Sequence, residues 1–462
     1  MQAIEARNDT LASSGLTGRF LLLCLGVWLH SADTLVTATI APDIVADLHG
    51  ITYINWTISL YEVGAIIAGA ATAAMCARFG IRGLFAGACG VYSGGCVLGA
   101  LAPNMAVLIF GRLVQGMGGG ILLTLCYVAV EAWFSPKLFA RLFGIIAAIW
   151  GVGSLLGPLL GGAFAGSHAW RGAFWVFAAQ SIVLAALARR SFPATPRQPD
   201  NPWPVVPLVV LSAGTLLIAE SGALNHALLG GAICAVGAGL LCLAARLDRR
   251  AVNRLLPAQL LDFQHPVGSG LMLVMALSVA TTGFWAYGPL LVKILFGTPP
   301  LVTGYIIAGE AIAWSLATLA VSSATPAADT GLIRGGAVAV AVGSAGFALA
   351  VPSGSLAGMV VCGLLQGGGF GLCWPAIVQR LMRFSAPADQ SVASASASTV
   401  QRIGYAIGTA AVGIAANVAG LADGISIPAA KSAGFWVFAA FIPILGIGLL
   451  SAWKFTAART PK

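Results

Sequence analysis

Residues 112–120 read Arg112-Leu113-Val114-Gln115-Gly116-Met117-Gly118-Gly119-Gly120, and residues 364–371 read Leu364-Leu365-Gln366-Gly367-Gly368-Gly369-Phe370-Gly371. The two stretches align at an offset of 251 positions. The same offset carries Gly153 and Gly157 onto Gly404 and Gly408, and Pro136 onto Pro387. Further along, Ala173-Phe174-Trp175-Val176-Phe177-Ala178-Ala179 matches Gly434-Phe435-Trp436-Val437-Phe438-Ala439-Ala440. One such match is what composition alone produces in a chain rich in Ala, Gly and Leu. Three in the same order mark an internal duplication.

Both copies lie in long apolar runs. Of 462 residues, 58% are hydrophobic and 8% charged, the latter about a third of the share in soluble globular proteins. Such a chain lacks the charged coat that a soluble enzyme, a nucleic-acid binder or a disordered scaffold needs. A bilayer-crossing helix takes about 20 mostly apolar residues. Fourteen runs meet that description, at 19–41, 56–76, 83–102, 105–131, 139–165, 170–188, 204–222, 226–246, 267–292, 301–323, 332–351, 355–381, 390–420 and 433–455. The expected fold is an all-α integral membrane protein of 14 transmembrane helices. Residues 1–190 form an N-terminal six-helix half, and 264–462 form a C-terminal six-helix half. Residues 191–263 hold cytoplasmic linkers and two inserted helices. The nine cysteines fall in or at the ends of apolar runs without metal-ligand or disulfide spacing, and read as small core residues.

The net charge of +9 has a topological reading. With alternating crossings, nineteen of the 24 Lys and Arg residues fall on the side of the N-terminus, Arg78, Arg82, Arg141, Arg189, Arg190, Arg246, Arg334, Arg380 and Arg383 among them. Only Arg171, Lys293 and Lys431 fall on the other. By the positive-inside rule both termini are cytoplasmic and the span number is even. The run after Gly18 is too long for a cleavable signal peptide. A bacterial cytoplasmic (inner) membrane is the expected location.

Equivalent spans of the two halves lie eight spans apart, an even number, so the halves share one topology. Parallel repeats around a central site that opens alternately to each side are transporter architecture.

Four motifs add a resemblance. Span 1 holds Asp33 with Pro42 nine residues on. The loop after span 2 reads Arg78-Phe79-Gly80-Ile81-Arg82. Span 4 holds Arg112, Gln115 and Gly116. Span 5 reads Gly153-Ser154-Leu155-Leu156-Gly157-Pro158-Leu159-Leu160-Gly161-Gly162. Over essentially its whole length the chain resembles the major facilitator superfamily, in particular its fourteen-helix drug:proton antiporter branch. The resemblance implies two six-helix halves plus two inserted helices, proton-coupled efflux of multidrug type, and a gating role for Arg78, Gly80 and Arg82. The last motif looks like that of the family's antiporters. The sequence departs from the family at Ala77, where an acid precedes the hinge arginine, at Ala73 in place of the opening glycine, and at Ala38 in place of Asn.

Ionisable groups inside spans cost about 2.5–3.5 kcal/mol each at a helix centre, so each is a functional candidate. His30, Asp33 and Thr37 share one face of span 1. Burial favours a neutral acid and a nearby cation favours the carboxylate, so a carboxyl held between the two can load and release a proton. The plainer reading of Asp33 is a structural hydrogen bond, and His30 is either a relay or a satisfied core group. Arg112 needs a carboxylate or carbonyls. Its expected partner is Asp33 or Glu62, with Gln115 one turn on. Glu62 and Glu310 sit at similar depths in spans 2 and 10, and read as sites for a cationic cargo, a second proton, or groups that reach the outer surface. Arg402 lies in a polar stripe with Ser391, Ser394, Ser398, Tyr405 and Thr409. It suits an anionic or zwitterionic cargo group, or pairs with Glu310 or carbonyls. Gly153, Gly157, Gly161 and Gly162 offer a flat face for close helix approach, and Pro158 permits a bend. Trp285, Trp314 and Tyr405 either line an aromatic pocket or face lipid.

The reading is a secondary transporter that exports a small organic compound, drug-like or metabolite, in exchange for protons by alternating access. Export of an endogenous metabolite, siderophore or lipid, or import by proton symport, are its alternatives. A membrane enzyme or sensor is disfavoured, since no nucleophile–base pair, metal spacing or nucleotide loop occurs. No cofactor or metal is expected, and the proton gradient is the energy source. The expected partners are the cargo, protons and the lipid bilayer, with nucleic acid excluded. Nothing in the sequence specifies a periplasmic adaptor.

Overall fold

In lipid, backbone groups must be satisfied within the chain, and a chain this apolar meets that demand with helices. The computed structural model describes residues 16–48, 54–135, 138–165, 169–194, 204–221, 227–251, 254–298, 300–386, 389–420 and 426–458. Pro136, Pro387, Arg7, Lys137, Arg197, Arg459 and Lys462 lie outside them. The α-helices are α1 (Thr17–Leu48), α2 (Ile54–Ala100), α3 (Met105–Trp133), α4 (Phe139–Ala165), α5 (Trp170–Ser191), α6 (Val205–Ser221) and α7 (Ala227–Asp248). They continue as α8 (Pro266–Phe296), α9 (Pro300–Ala320), α10 (Asp329–Ala350), α11 (Leu356–Arg383), α12 (Gln390–Val418), α13 (Ile427–Ala439) and α14 (Ile442–Ala457). No strand occurs among the described residues.

The helices do not map one-to-one onto the fourteen expected spans. Spans 2 and 3 form one helix, α2, of 47 residues. At 1.5 Å per residue it is about 70 Å long, roughly twice the hydrocarbon core. It breaks at Gly80, whose φ of 71° and ψ of 160° are non-helical and suit glycine. The last span is split into α13 and α14 around Ala440 and Phe441. Eleven helical stretches have the length and composition to cross a membrane. The 17-residue α6 is shorter, and the serine-rich α12 is not among the eleven. Leu228, Leu349 and Leu450 are 83%, 74% and 69% exposed, the pattern of a surface that faces lipid rather than water.

Two compact units divide the chain. One comprises Met1–Leu208, Arg250–Leu255 and Gln390–Thr399, and the other Val209–Arg249, Leu256–Asp389 and Val400–Lys462. Helices in lipid gain nothing from burying apolar surface against each other, so they associate through close packing at small residues. In the first unit, a Cβ added to Gly116 of α3 would stand 2.0 Å from the Tyr61 carbonyl oxygen of α2, and one on Gly120 2.3 Å from that of Ala65. The second unit repeats this. Gly367 of α11 would meet the Glu310 carbonyl oxygen of α9 at 2.0 Å, and Gly371 that of Trp314 at 2.2 Å. The sequence repeat is therefore a repeat of backbone contacts.

Helix ends are closed locally. Asn104 accepts a hydrogen bond from the Val107 amide at 3.0 Å to begin α3, and Ser355 accepts one from Gly358 at 3.1 Å to begin α11. Gly297, with φ of 61°, closes α8.

Gly116→Ala is expected to lower the melting temperature of the purified protein, because overpacking costs about 1–3 kcal/mol. Gly162→Ala, with nothing within 4 Å of the added carbon, is expected to leave it unchanged. Equal melting of Gly116→Ala and the parent protein would contradict the packing described.

Candidate functional site: a buried ion pair on α1 and α3

α1 carries Asp33 and α3 carries Arg112 and Gln115, and each of the three is at most 1% exposed. The Arg112 Nη1 donates to Asp33 Oδ2 at 2.7 Å and to Gln115 Oε1 at 2.8 Å. Its Nε donates to the Thr57 carbonyl of α2 at 3.1 Å. The Gln115 Nε2 donates to Asp33 Oδ1 at 3.0 Å, and the Thr37 hydroxyl, one turn along α1, to the same oxygen at 3.4 Å. Both carboxylate oxygens are thus bonded, and Gln115 bridges acid and base.

The guanidinium also lies 4.2 Å from the centre of the Tyr61 ring, a cation–π distance. The Tyr61 hydroxyl is 2.7 Å from His30 Nδ1, and the two rings stack with centroids 5.3 Å apart. Trp150 of α4 meets His30 edge-on at 5.6 Å. This close pairing depends on Gly119 of α3. A Cβ there would stand 2.7 Å from the Tyr61 hydroxyl and 2.8 Å from His30 Nδ1. Gly95 of α2 likewise makes room for Gln115, whose backbone nitrogen would lie 2.3 Å from an added Cβ.

α4 packs on the opposite side of α1 through three glycines. Gly153 faces Ser31, Gly157 faces Leu35 and Gly161 faces Thr39, with added Cβ atoms at 2.8, 2.5 and 2.5 Å. Gly162 is exposed and takes no part in that face. Pro158 lies within α4, and its ring is outside the described structure.

The partner of Arg112 is therefore Asp33. Glu62 is half-buried. Its neighbour Tyr61, unremarked in the sequence, is the α2 side chain that joins the network. The signal available was Thr57-to-Tyr61 spacing, one helical turn, overshadowed by the charge at Glu62. At the α2 break, Arg78 is half-buried and Arg82 exposed.

In the second unit, Glu310 is 4% exposed. Among the described residues it forms no ion pair with Arg402 or any other basic side chain. Arg402 is 7% exposed on α12, and Gln401 donates to the Tyr405 hydroxyl at 3.2 Å. In the stretch of α12 that belongs to the first unit, Ser394 and Ser398 are buried, and the side chain of Ser391 is outside the described structure. Trp314 stacks on Phe370 with centroids 4.6 Å apart and planes 13° from parallel, and Trp374 adjoins both. Trp285 is 44% exposed. The basic residues at the ends of α10 and α11 do more than signal orientation. Arg383 pairs with Asp329 at 2.5 Å. Arg380 donates to the Phe455, Thr456 and Ala458 carbonyls at the end of α14, and Arg334 donates to the Thr456 hydroxyl.

A family profile described as Major Facilitator Superfamily matches residues 23–409. A probable multidrug-efflux transporter of Mycobacterium tuberculosis, Rv1634, is 28% identical over 98% of both chains. The multidrug efflux pump SdrM of Staphylococcus aureus is 22% identical over 64% of this chain and 66% of its own. Among solved structures, the human organic anion transporter MFSD10 (TETRAN) superposes with a TM-score of 0.68 at 14% identity, covering 94% of this chain and 98% of its own. The proton:xylose symporter XylE gives 0.68 at 15% identity, with 96% of each chain covered.

Removing one partner of a buried ion pair costs about 3–5 kcal/mol when it strands the other charge. Arg112→Leu is expected to melt well below the parent protein. Asp33→Asn is expected to cost less, because Arg112 keeps Thr57, Gln115 and the Tyr61 ring. The double variant is expected to recover part of the Arg112→Leu loss. Strictly additive losses in a thermal-unfolding cycle would show that the pair is not coupled.

Proposed function

The chain belongs to the Major Facilitator Superfamily, and we propose that it is a proton-coupled exporter of a small organic compound working by alternating access. The observation that carries the reading is the Asp33–Arg112–Gln115 network, a carboxyl wholly withdrawn from water and held by one cation. A proton arriving on Asp33 removes the charge that Arg112 answers. The guanidinium keeps the Thr57 carbonyl, Gln115 and Tyr61, so it has somewhere to rest in either state. Uptake from the outer side and release inward, coupled to cargo movement the other way, completes an antiport cycle. One charge crossing 100 mV is worth ~2.3 kcal/mol, enough for a roughly fifty-fold gradient. No cofactor is assigned; the proton gradient supplies the energy.

The glycine seam of Gly153, Gly157 and Gly161 on α1 supports a pivot beside Asp33, and its resemblance to the antiporter motif supports export. His30 acts with Asp33 through Tyr61. Cargo contacts are assigned to Glu62, Gln115, Arg402, Trp285, Trp314 and Tyr405, and Glu310 to a cationic group or a second proton. The break at Gly80, flanked by Arg78 and Arg82, is assigned to gating. We count fourteen crossings, with α2 counted twice about Gly80, α6 and α12 each as one, and α13 with α14 as one. The basic-residue distribution supports both termini in the cytoplasm, and the bacterial sources of Rv1634 and SdrM support a bacterial inner membrane. The names of Rv1634 and SdrM support multidrug efflux.

The test uses inverted membrane vesicles with an imposed pH gradient and a panel of cationic, neutral and anionic organic compounds. A transported compound is expected to discharge the gradient in vesicles carrying the parent protein and to leave it intact with Asp33→Asn. Undiminished discharge by Asp33→Asn would rule out the coupling role of that carboxyl.

A further inference from the structure

The glycine contacts allow the two units to be read against each other residue by residue. Gly116 and Gly120 of α3 touch Tyr61 and Ala65, and Gly367 and Gly371 of α11 touch Glu310 and Trp314. Glu310 therefore stands where the first unit has Tyr61, not where it has Glu62. The α8 seam works the same way. Gly404 faces Ser278 and Gly408 faces Thr282, as Gly153 faces Ser31 and Gly157 faces Leu35. By that register the place of Asp33 falls to Ala280, that of His30 to Leu277 and that of Thr37 to Phe284. Arg112 is replaced by Gly363, and Gln115 by Gln366.

The second unit thus has the same glutamine, lacks the acid on the first helix and the arginine, and carries an acid on the neighbouring helix. Glu310 is 4% exposed, its Oε2 has no hydrogen-bond partner, and no ion pair reaches it among the described residues. Gln366 donates from Nε2 to the Thr281 carbonyl at 2.9 Å and leaves its Oε1 without a partner. It adjoins Gly367, which touches the Glu310 backbone. Among the described residues, α9 packs chiefly on α11 and α8. Their titratable or charged side chains are Cys362, Cys373, Arg380 and Arg383 on α11, and Tyr287 and Lys293 on α8. None of them bonds to Glu310. A carboxylate needs a cation or donors when buried. A carboxylic acid carries no charge to be answered, so its burial costs far less, and it has a hydrogen to offer an acceptor.

We propose that Glu310 is a second proton-binding site, separate from Asp33, so that each transport cycle carries a proton on each unit. Release is heterolysis of the carboxyl O–H bond. The electron pair stays on the carboxylate and the proton passes to water when that face opens. The proposal rests on the antiport reading for its place in a cycle, but the site itself can be tested without transport. Infrared difference spectra between acid and alkaline pH would be recorded on the purified full-length protein in liposomes. A protonated-carboxyl band is expected that survives in Asp33→Asn, loses one carboxyl's intensity in Glu310→Gln and shifts in Glu310→Asp. Gln copies the neutral acid in shape, so Glu310→Gln is expected to fold. Glu310→Asp keeps the assignment decidable if it does not. Spectra of Glu310→Gln identical to the parent's, with no shift in Glu310→Asp, would overturn the proposal. Because no cargo is needed, this result decides the site even where gradient-driven export fails and the antiport reading falls.

Discussion

The fold depends on backbone meeting backbone at glycine. Water drives helices together in soluble proteins by burying apolar surface, and lipid removes that drive. What remains is close packing, and close packing of two backbones has no room for a Cβ. Gly116, Gly120, Gly367 and Gly371 hold α2 to α3 and α9 to α11 at distances that any larger residue would prohibit. Gly118 and Gly369 do the same against α2 at Tyr92 and α10 at Val340. A chain with 59 glycines would be a poor helical protein in water, where each costs about 0.5–1 kcal/mol against alanine in a helix. In lipid the same residues set the register.

Once the backbones are this close, polar side chains have few places to go, and their partners follow from geometry. Asp33 and Arg112 are both at most 1% exposed, and such a pair is a poor source of net stability because desolvation opposes the Coulombic attraction. It is tolerated here because both carboxylate oxygens accept hydrogen bonds and the guanidinium has partners besides the acid. Gln115 spans the pair, Thr57 lends a carbonyl and Tyr61 covers the guanidinium. A network satisfied this fully is rigid in one protonation state and frustrated in the other, a property suited to a switch more than to a scaffold.

Much of this was legible in the sequence, and the illegible parts have a common cause. The duplication, the membrane helices and the pairing of an acid on one helix with an arginine on another follow from composition and spacing. Boundaries did not, because hydropathy averages over a window and cannot see Gly80 turning α2 without ending it. Tyr61 was missed, and Glu62 and Glu310 were set side by side, because charge is visible in sequence and helix rotation is not. The contact that settles the register, Gly116 on Tyr61 against Gly367 on Glu310, lies between helices. Gly162 looked like part of the α4 glycine face, yet one position along a helix turns a residue by about 100° and takes it off the seam.

Duplication preserves backbone contacts more strictly than chemistry, and the two units show what that freedom permits. The first buries one ion pair, Asp33 with Arg112, between α1 and α3, and sets another at helix ends, Asp47 of α1 with Arg171 of α5. At its α2 break, Ala77 occupies the position where the family carries an acid. The second places its ion pairing at helix ends. Arg383 meets Asp329, and Arg380 caps the carbonyls that end α14, where the helix dipole favours a cation. Its interior holds aromatic stacks at Trp314–Phe370 and Phe284–Phe347–Phe438, with Glu310 one turn from Trp314 and with Gln366 and Arg402 buried as well. With the glycine seams held in common, each unit can specialise without altering how its helices pack.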